Sequence, residues 1–128
     1  MTIRTHEGID RRLSGEPTDL SVGAATVRLQ TVPEMAADEH GLVHGGFLFG
    51  AADYAAMLAV NDPNVVLVSA TTRFVAPVRV GEVVLLHAQR TEVLKHKHFV
   101  DVHAAVGERE VFRGTFVTVV LDCHVLDR

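Results

Sequence analysis

The hydrophobic pattern of the chain changes rhythm several times, and each change predicts an element. Residues 1–23 are polar and irregular, with a short helix expected over Arg4–Leu13 and a breaker at Ser14-Gly15-Glu16-Pro17-Thr18. Ala24–Val32 reads as a strand ending before Pro33, and Glu34–Val43 as a loop. From Gly45 to Val60 every residue is Gly, Ala, Phe, Leu, Met, Val or Tyr except Asp53. Such a run predicts a helix buried on all sides, stopped by Asn61-Asp62-Pro63-Asn64. The remainder is rich in β-branched residues. It predicts strands at Val65–Ala76, Glu82–Leu94, His96–Val106 and Glu110–Cys123, joined by short turns.

Short connections imply antiparallel pairing. The fold class expected is therefore α+β, a roughly five-stranded antiparallel sheet curled round one long helix. Strict alternation along Val65–Ala76 puts Val66, Val68, Ala70, Phe74 and Ala76 in one row, and Val65, Leu67 and Val75 in the other. Both rows are apolar, and one helix covers one face. The other face, or an edge, is expected to meet a second copy of the chain.

The bulk composition narrows the classes. The chain has 128 residues, 48% of them hydrophobic and 22% charged, enough for one globular domain with a core. The net charge of −4, with scattered basic residues, argues against nucleic acid as a partner. The lone Cys123 fits a reducing compartment. The polar stretch Met1–Asp10 reads as no signal peptide, and Gly41–Val60 is too short and too polar to span a membrane. A cytoplasmic protein with no membrane partner is the expectation.

The candidate chemistry centres on the apolar helix. A lone carboxylate inside it is costly unless something satisfies or uses it. Gly45 and Gly46, following His44, supply free helix N-terminal N–H groups, which stabilise negative charge and could form an oxyanion hole. Gly46 and Asp53 lie seven residues apart, within about 20° on the helical wheel but about 10.5 Å apart along the axis. One helix cannot serve one substrate carbonyl with both groups, whereas two antiparallel copies can. That favours a site shared between protomers, two per dimer. Taken alone, the residues equally fit a structural Asp satisfied by hydroxyls and a tight loop-to-helix turn.

His44-Gly45-Gly46-Phe47-Leu48-Phe49-Gly50-Ala51-Ala52-Asp53 resembles the H-G-G-x-x-F-x-x-x-D signature of hotdog-fold acyl-CoA thioesterases of the phenylacetate-degradation (PaaI-like) type. Arg73-Phe74-Val75-Ala76-Pro77-Val78, with Gly81-Glu82, is similar to a weaker second signature. The resemblance covers Ala24 to Leu121. It implies a hotdog fold of five to six strands round a central helix, a homodimer with possible pairing into a tetramer, and hydrolysis of an acyl-CoA without metal or separate cofactor. Carried over by position, Asp53 is the catalytic carboxylate, acting as general base or nucleophile. Gly45 is the oxyanion donor, with Gly46 beside it, and His44 is a positioning or helix-opening hydrogen bonder. Thr71 falls where some relatives keep a hydroxyl near the attacking water. Many relatives carry Asn where this chain has Asp38, and an ionised Asp only accepts hydrogen bonds.

Phe47, Phe49 and Met57 are candidates for an acyl pocket. Arg73, with Arg79, Arg90, Lys95 and Lys97, is a candidate for the CoA phosphates. His96 and His98 would share a strand face, but no third ligand follows and a solvated turn is the simpler reading. Two function classes remain: an acyl-CoA thioesterase, and an acyl-CoA binding or sensing protein without turnover.

Overall fold

The computed structural model describes residues 1–128. A one-turn helix, α1 (Arg11–Ser14), precedes strands β1 (Glu16–Ser21) and β2 (Ala24–Gln30). Helix α2 (Gly45–Val60) follows, then β3 (Val65–Phe74), β4 (Val83–Leu94), β5 (Lys97–Val106) and β6 (Arg109–Val120). All strands join one antiparallel sheet in the order β1-β2-β4-β5-β6-β3.

α2 touches every strand of that sheet. Six strands laid flat span roughly 24 Å, about twice the width of a helix with its side chains. Contact with all of them requires the sheet to curl round the helix. This is the hotdog fold. The buried helix positions, from Leu48 through Ala59, meet Val27 and Leu29 of β2, Val84 and Leu86 of β4, Val100 and Val102 of β5, and Phe112 and Phe116 of β6 in one apolar cluster. Small alanines at positions 51, 52, 55, 56 and 59 let the sheet approach closely.

The helix is less well covered along one stripe. Gly46, Phe49, Gly50 and Asp53 recur at helical spacing and all keep some surface open. At the C-terminal end, Asn61 adopts a left-handed conformation (φ 54°) and its amide caps Met57.

Four sequence expectations are corrected. The helix expected over Arg4–Leu13 is only the turn Arg11–Ser14, capped by the Asp10 carboxylate. The breaker that follows it is in fact the start of an edge strand, β1, where Pro17 is tolerated because one side needs no ladder hydrogen bonds. The third concerns β3, which carries a bulge between Leu67 and Ser69, so alternation reverses at Val68. Leu67 lies opposite the buried Thr118, and Ala70 and Phe74 lie opposite the buried Phe116 and Phe112. These three therefore share the helix-facing side, and the two rows expected from strict alternation do not exist. His96 sits in the β4–β5 turn, outside the strand that carries His98, which removes the shared face expected for that pair.

Candidate active site

Asp53 enters the fold on the partly open stripe of α2. Its Oδ1 is buried and has no hydrogen-bond partner. Burial raises its pKa from 3.8 to about 6, because no cation or donor offsets the loss of water. The carboxylate opens onto a cavity of about 350 Å³ walled by Met57 of the helix, Asn64 and Val65–Leu67 at the start of β3, and two segments from the chain ends carrying His6 and His124.

The helix N-terminus forms a second site at the far end of α2. The amides of Gly45 and Gly46 donate to no acceptor within the chain. A Cβ on Gly45 would lie 2.9 Å from Cε1 of Phe74, and one on Gly46 would lie 3.1 Å from Cδ2 of His44. A side chain at position 45 would thus press on the Phe74 ring, and one at position 46 would need the His44 ring to shift by a few tenths of an ångström. A largely apolar cavity of about 340 Å³ opens here, lined by Gly45, Leu42, Leu48, Phe74, Val75 and Pro77 among others. It can take an aliphatic or aryl chain with a carbonyl directed at the amides.

The other candidates fall in different places. His44 holds the N-cap position, and its own amide donates to Met35 O at 2.8 Å. Its side chain makes no capping hydrogen bond, which corrects the hydrogen-bonding alternative and leaves the positioning one, and its ring packs edge-on to Phe47. Asp38 Oδ1 accepts from the amides of His40 (2.9 Å) and Leu42 (3.2 Å), so it shapes the loop that leads to the helix. An Asn side-chain oxygen could accept the same two hydrogen bonds.

Met57 lines the Asp53 cavity, whereas Phe49 stacks on Phe116 with centroids 5.6 Å apart. Neither Phe47 nor Phe49 lines the two cavities just described. Thr71 and Arg73 lie opposite Thr115 and Arg113, which alternate with the inward Phe112, Gly114 and Phe116. Both therefore face away from α2, and a single chain does not bring them to its own Asp53. Phe74, His6 and His124 were not singled out as site residues. Phe74 stood within the second signature, but the terminal histidines carry no sequence signal linking them to Asp53.

The geometry defines a hotdog domain with a helix-borne carboxylate at one place and a bare helix N-terminus at another. Residues 40–113 match the thioesterase superfamily. The chain belongs to that superfamily. It is 49% identical to an uncharacterized protein of Pyrococcus horikoshii whose crystal structure superposes with a TM-score of 0.98, covering 99% of this chain and 98% of that one. It is also 51% identical over 121 residues to methylthioribose-1-phosphate isomerase of Aquifex aeolicus, covering 94% of this chain but 26% of that protein. Identity to the transcription factor FapR of Caldanaerobacter subterraneus is 28% over 109 residues, covering 84% of this chain and 54% of the factor. The chain thus spans a quarter to about half of the curated relatives it matches. No helix is long and apolar enough to cross a membrane.

Proposed function

We propose that this protein hydrolyses an acyl-CoA thioester to the free acid and CoA, in a site shared by two protomers. The observation that carries the reading is Asp53: a buried carboxylate oxygen without a partner, at a cavity wall, with a pKa raised to about 6 by burial. A structural Asp would have its oxygens satisfied. A base poised near neutrality accepts a proton more readily than an ordinary Asp and is still largely ionised at pH 7.

The unpaired amides of Gly45 and Gly46 from the partner protomer receive the thioester oxygen. Water attacks the carbonyl carbon as Asp53 takes its proton, and negative charge gathers on the oxygen at the helix N-terminus. The C–S bond then breaks, the thiolate regains a proton, and acid and CoA leave. If Asp53 is instead the nucleophile, its oxygen bonds to the carbonyl carbon, the C–S bond breaks to release the CoA thiolate, and water then cleaves the mixed anhydride, freeing the acid and restoring the Asp53 carboxylate. No metal or cofactor is invoked in either route. The resemblance of His44–Asp53 to the phenylacetate-degradation type supports an acyl-CoA substrate, and superfamily membership supports thioester chemistry.

The test is thiol release from a panel of short, long and aryl acyl-CoAs by the wild-type protein and Asp53→Asn. At least one thioester is turned over by the wild type, and the variant loses about 10²-fold or more. Mixing Asp53→Asn chains with Gly45→Pro chains restores part of the activity, since a mixed dimer retains one intact composite site. Absence of rescue in verified heterodimers would reject the shared geometry. The similarity to FapR, a transcription factor, favours a second reading in which the domain binds acyl-CoA and does not turn it over. Tight binding without thiol release across the panel would establish that reading instead.

A further inference from the structure

One wall of the Asp53 cavity takes no part in the hydrolytic scheme, and it is built from the first residues of the chain. The only titratable side chains facing Asp53 across this cavity are His6 and His124. The His124 Nδ1 accepts from the amide of Leu126 at 3.1 Å, so that ring is engaged in capping the last turn of the chain. His6 is held in a different manner. Its φ is 53°, a left-handed conformation that non-glycine residues adopt uncommonly.

Two sets of contacts maintain it there. Thr5, only 4% exposed, places its Oγ1 2.7 Å from His6 Nδ1. The residues before it are tied to the end of α2, where Arg4 N donates to Asn61 Oδ1 at 2.8 Å and Asn61 Nδ2 donates to Thr2 O at 2.9 Å. This segment is thus clamped to the helix C-cap, with the His6 ring 6.4 Å from the ring of Tyr54, the helix neighbour of Asp53. His6 still keeps an open face at the cavity mouth, while the protein packed round its other side lowers its pKa from the ordinary histidine value.

We propose that His6 is a second functional group of this cavity, holding together with Asp53 a single bound water. In the tautomer proposed, the Thr5 hydroxyl donates to Nδ1 and the imidazole proton sits on Nε2. Nε2–H donates to the water oxygen, and the water donates one of its own protons to the Asp53 carboxylate. Where the hydrolytic reading above holds, this is the attacking water: a lone pair remains free for the carbonyl carbon, and the proton that leaves goes to Asp53.

Two measurements test this, and only one depends on turnover. The first is the carbon-13 titration of the Asp53 carboxyl, assigned with Asp53→Asn, in wild type and in His6→Phe. Loss of the water-mediated donor raises the Asp53 midpoint by about half a unit or more. An unchanged midpoint would overturn the proposal whether or not the protein is an enzyme. The second is steady-state hydrolysis. His6→Phe lowers kcat by about 10- to 10²-fold with little change in KM, and His6→Gln, which restores a donor, recovers part of the loss. Wild-type kcat in His6→Phe, alongside an inactive Asp53→Asn, would reject His6 and leave the hydrolytic reading intact. If the wild type releases no thiol, the hydrolytic reading fails and the titration alone decides whether the shared water exists.

Discussion

The burial that suits Asp53 to the proposed reaction also makes it destabilising to the fold. A carboxyl whose pKa rises from 3.8 to about 6 on folding binds its proton more tightly in the native state. Below pH 3.8 both states are protonated and the group costs nothing. As pH rises from there to about 6, only the unfolded state ionises, and stability falls. Above that range the loss is complete, at roughly 3 kcal/mol for a shift of about two units. Asp53→Asn is therefore expected to be more stable than wild type at pH 8, by roughly 1–3 kcal/mol, and to lose that advantage near pH 4. Urea denaturation at the two pH values checks it, and an advantage equal at both would contradict a buried, unpaired carboxylate. The kcat/KM of the wild type should rise as pH passes about 6, since the general base must be ionised. This residue was legible in the sequence because a single acid interrupts a run of apolar side chains. The site around it was not, since His6 and His124 reach it from opposite ends of the chain and no local spacing records that meeting.

At the level of elements, legibility followed how much of the determining force is local. The observed helix Gly45–Val60 coincides with the apolar run between His44 and Asn61, where the glycine turn and the left-handed cap are written into adjacent residues. β1 was hidden because Pro17 and Gly15 read as a break, and only its place at the sheet edge makes a strand with proline acceptable. The bulge in β3 was equally invisible, being a product of pairing with β6. Its consequence is that Arg73 lies on the outer face directly opposite Arg113, beside His103 of β5. Like charges directly opposite each other in a sheet are destabilising, and Glu110, 3.8 Å from Arg113, offsets this only in part. Arg73→Thr should raise stability by roughly 0.2–1 kcal/mol at low salt, with the gain shrinking as salt is added. The same variant decides whether Arg73 meets a CoA phosphate. If it does, KM for acyl-CoA rises and the pantetheine thioester of the same acyl group is unaffected. If KM for both is unchanged, the outer arginine pair has no part in substrate binding.

The whole molecule poses a geometric problem that a single chain leaves unsolved. The carboxylate and the bare amides lie on one helix, about 10.5 Å apart along its axis by their seven-residue separation. Sheet order ends at β3, whose outer edge has no strand beside it, and β3 supplies part of the Asp53 cavity wall. Along the same strand and just beyond it, Val68 is 53% exposed, Phe74 52% and Val75 41%. An unpaired edge bearing exposed apolar side chains is a surface suited to another copy of itself, and two such edges paired antiparallel place the two helices in opposite directions. Under the proposed shared site, this pairing is what brings one protomer's Gly45 and Gly46 to the other's Asp53. Sequence spacing favours a second chain, but it does not identify the edge, because strand order depends on contacts between distant segments. Val68→Lys tests that edge: lysine on an edge strand disfavours further pairing, and this position touches neither cavity. The variant should sediment as a monomer, keep its secondary structure by circular dichroism, and lose most thioesterase activity, because each half-site lacks its complement. A monomer with full activity would show that one chain suffices and would remove the shared site, while a fully active dimer would move the interface away from β3.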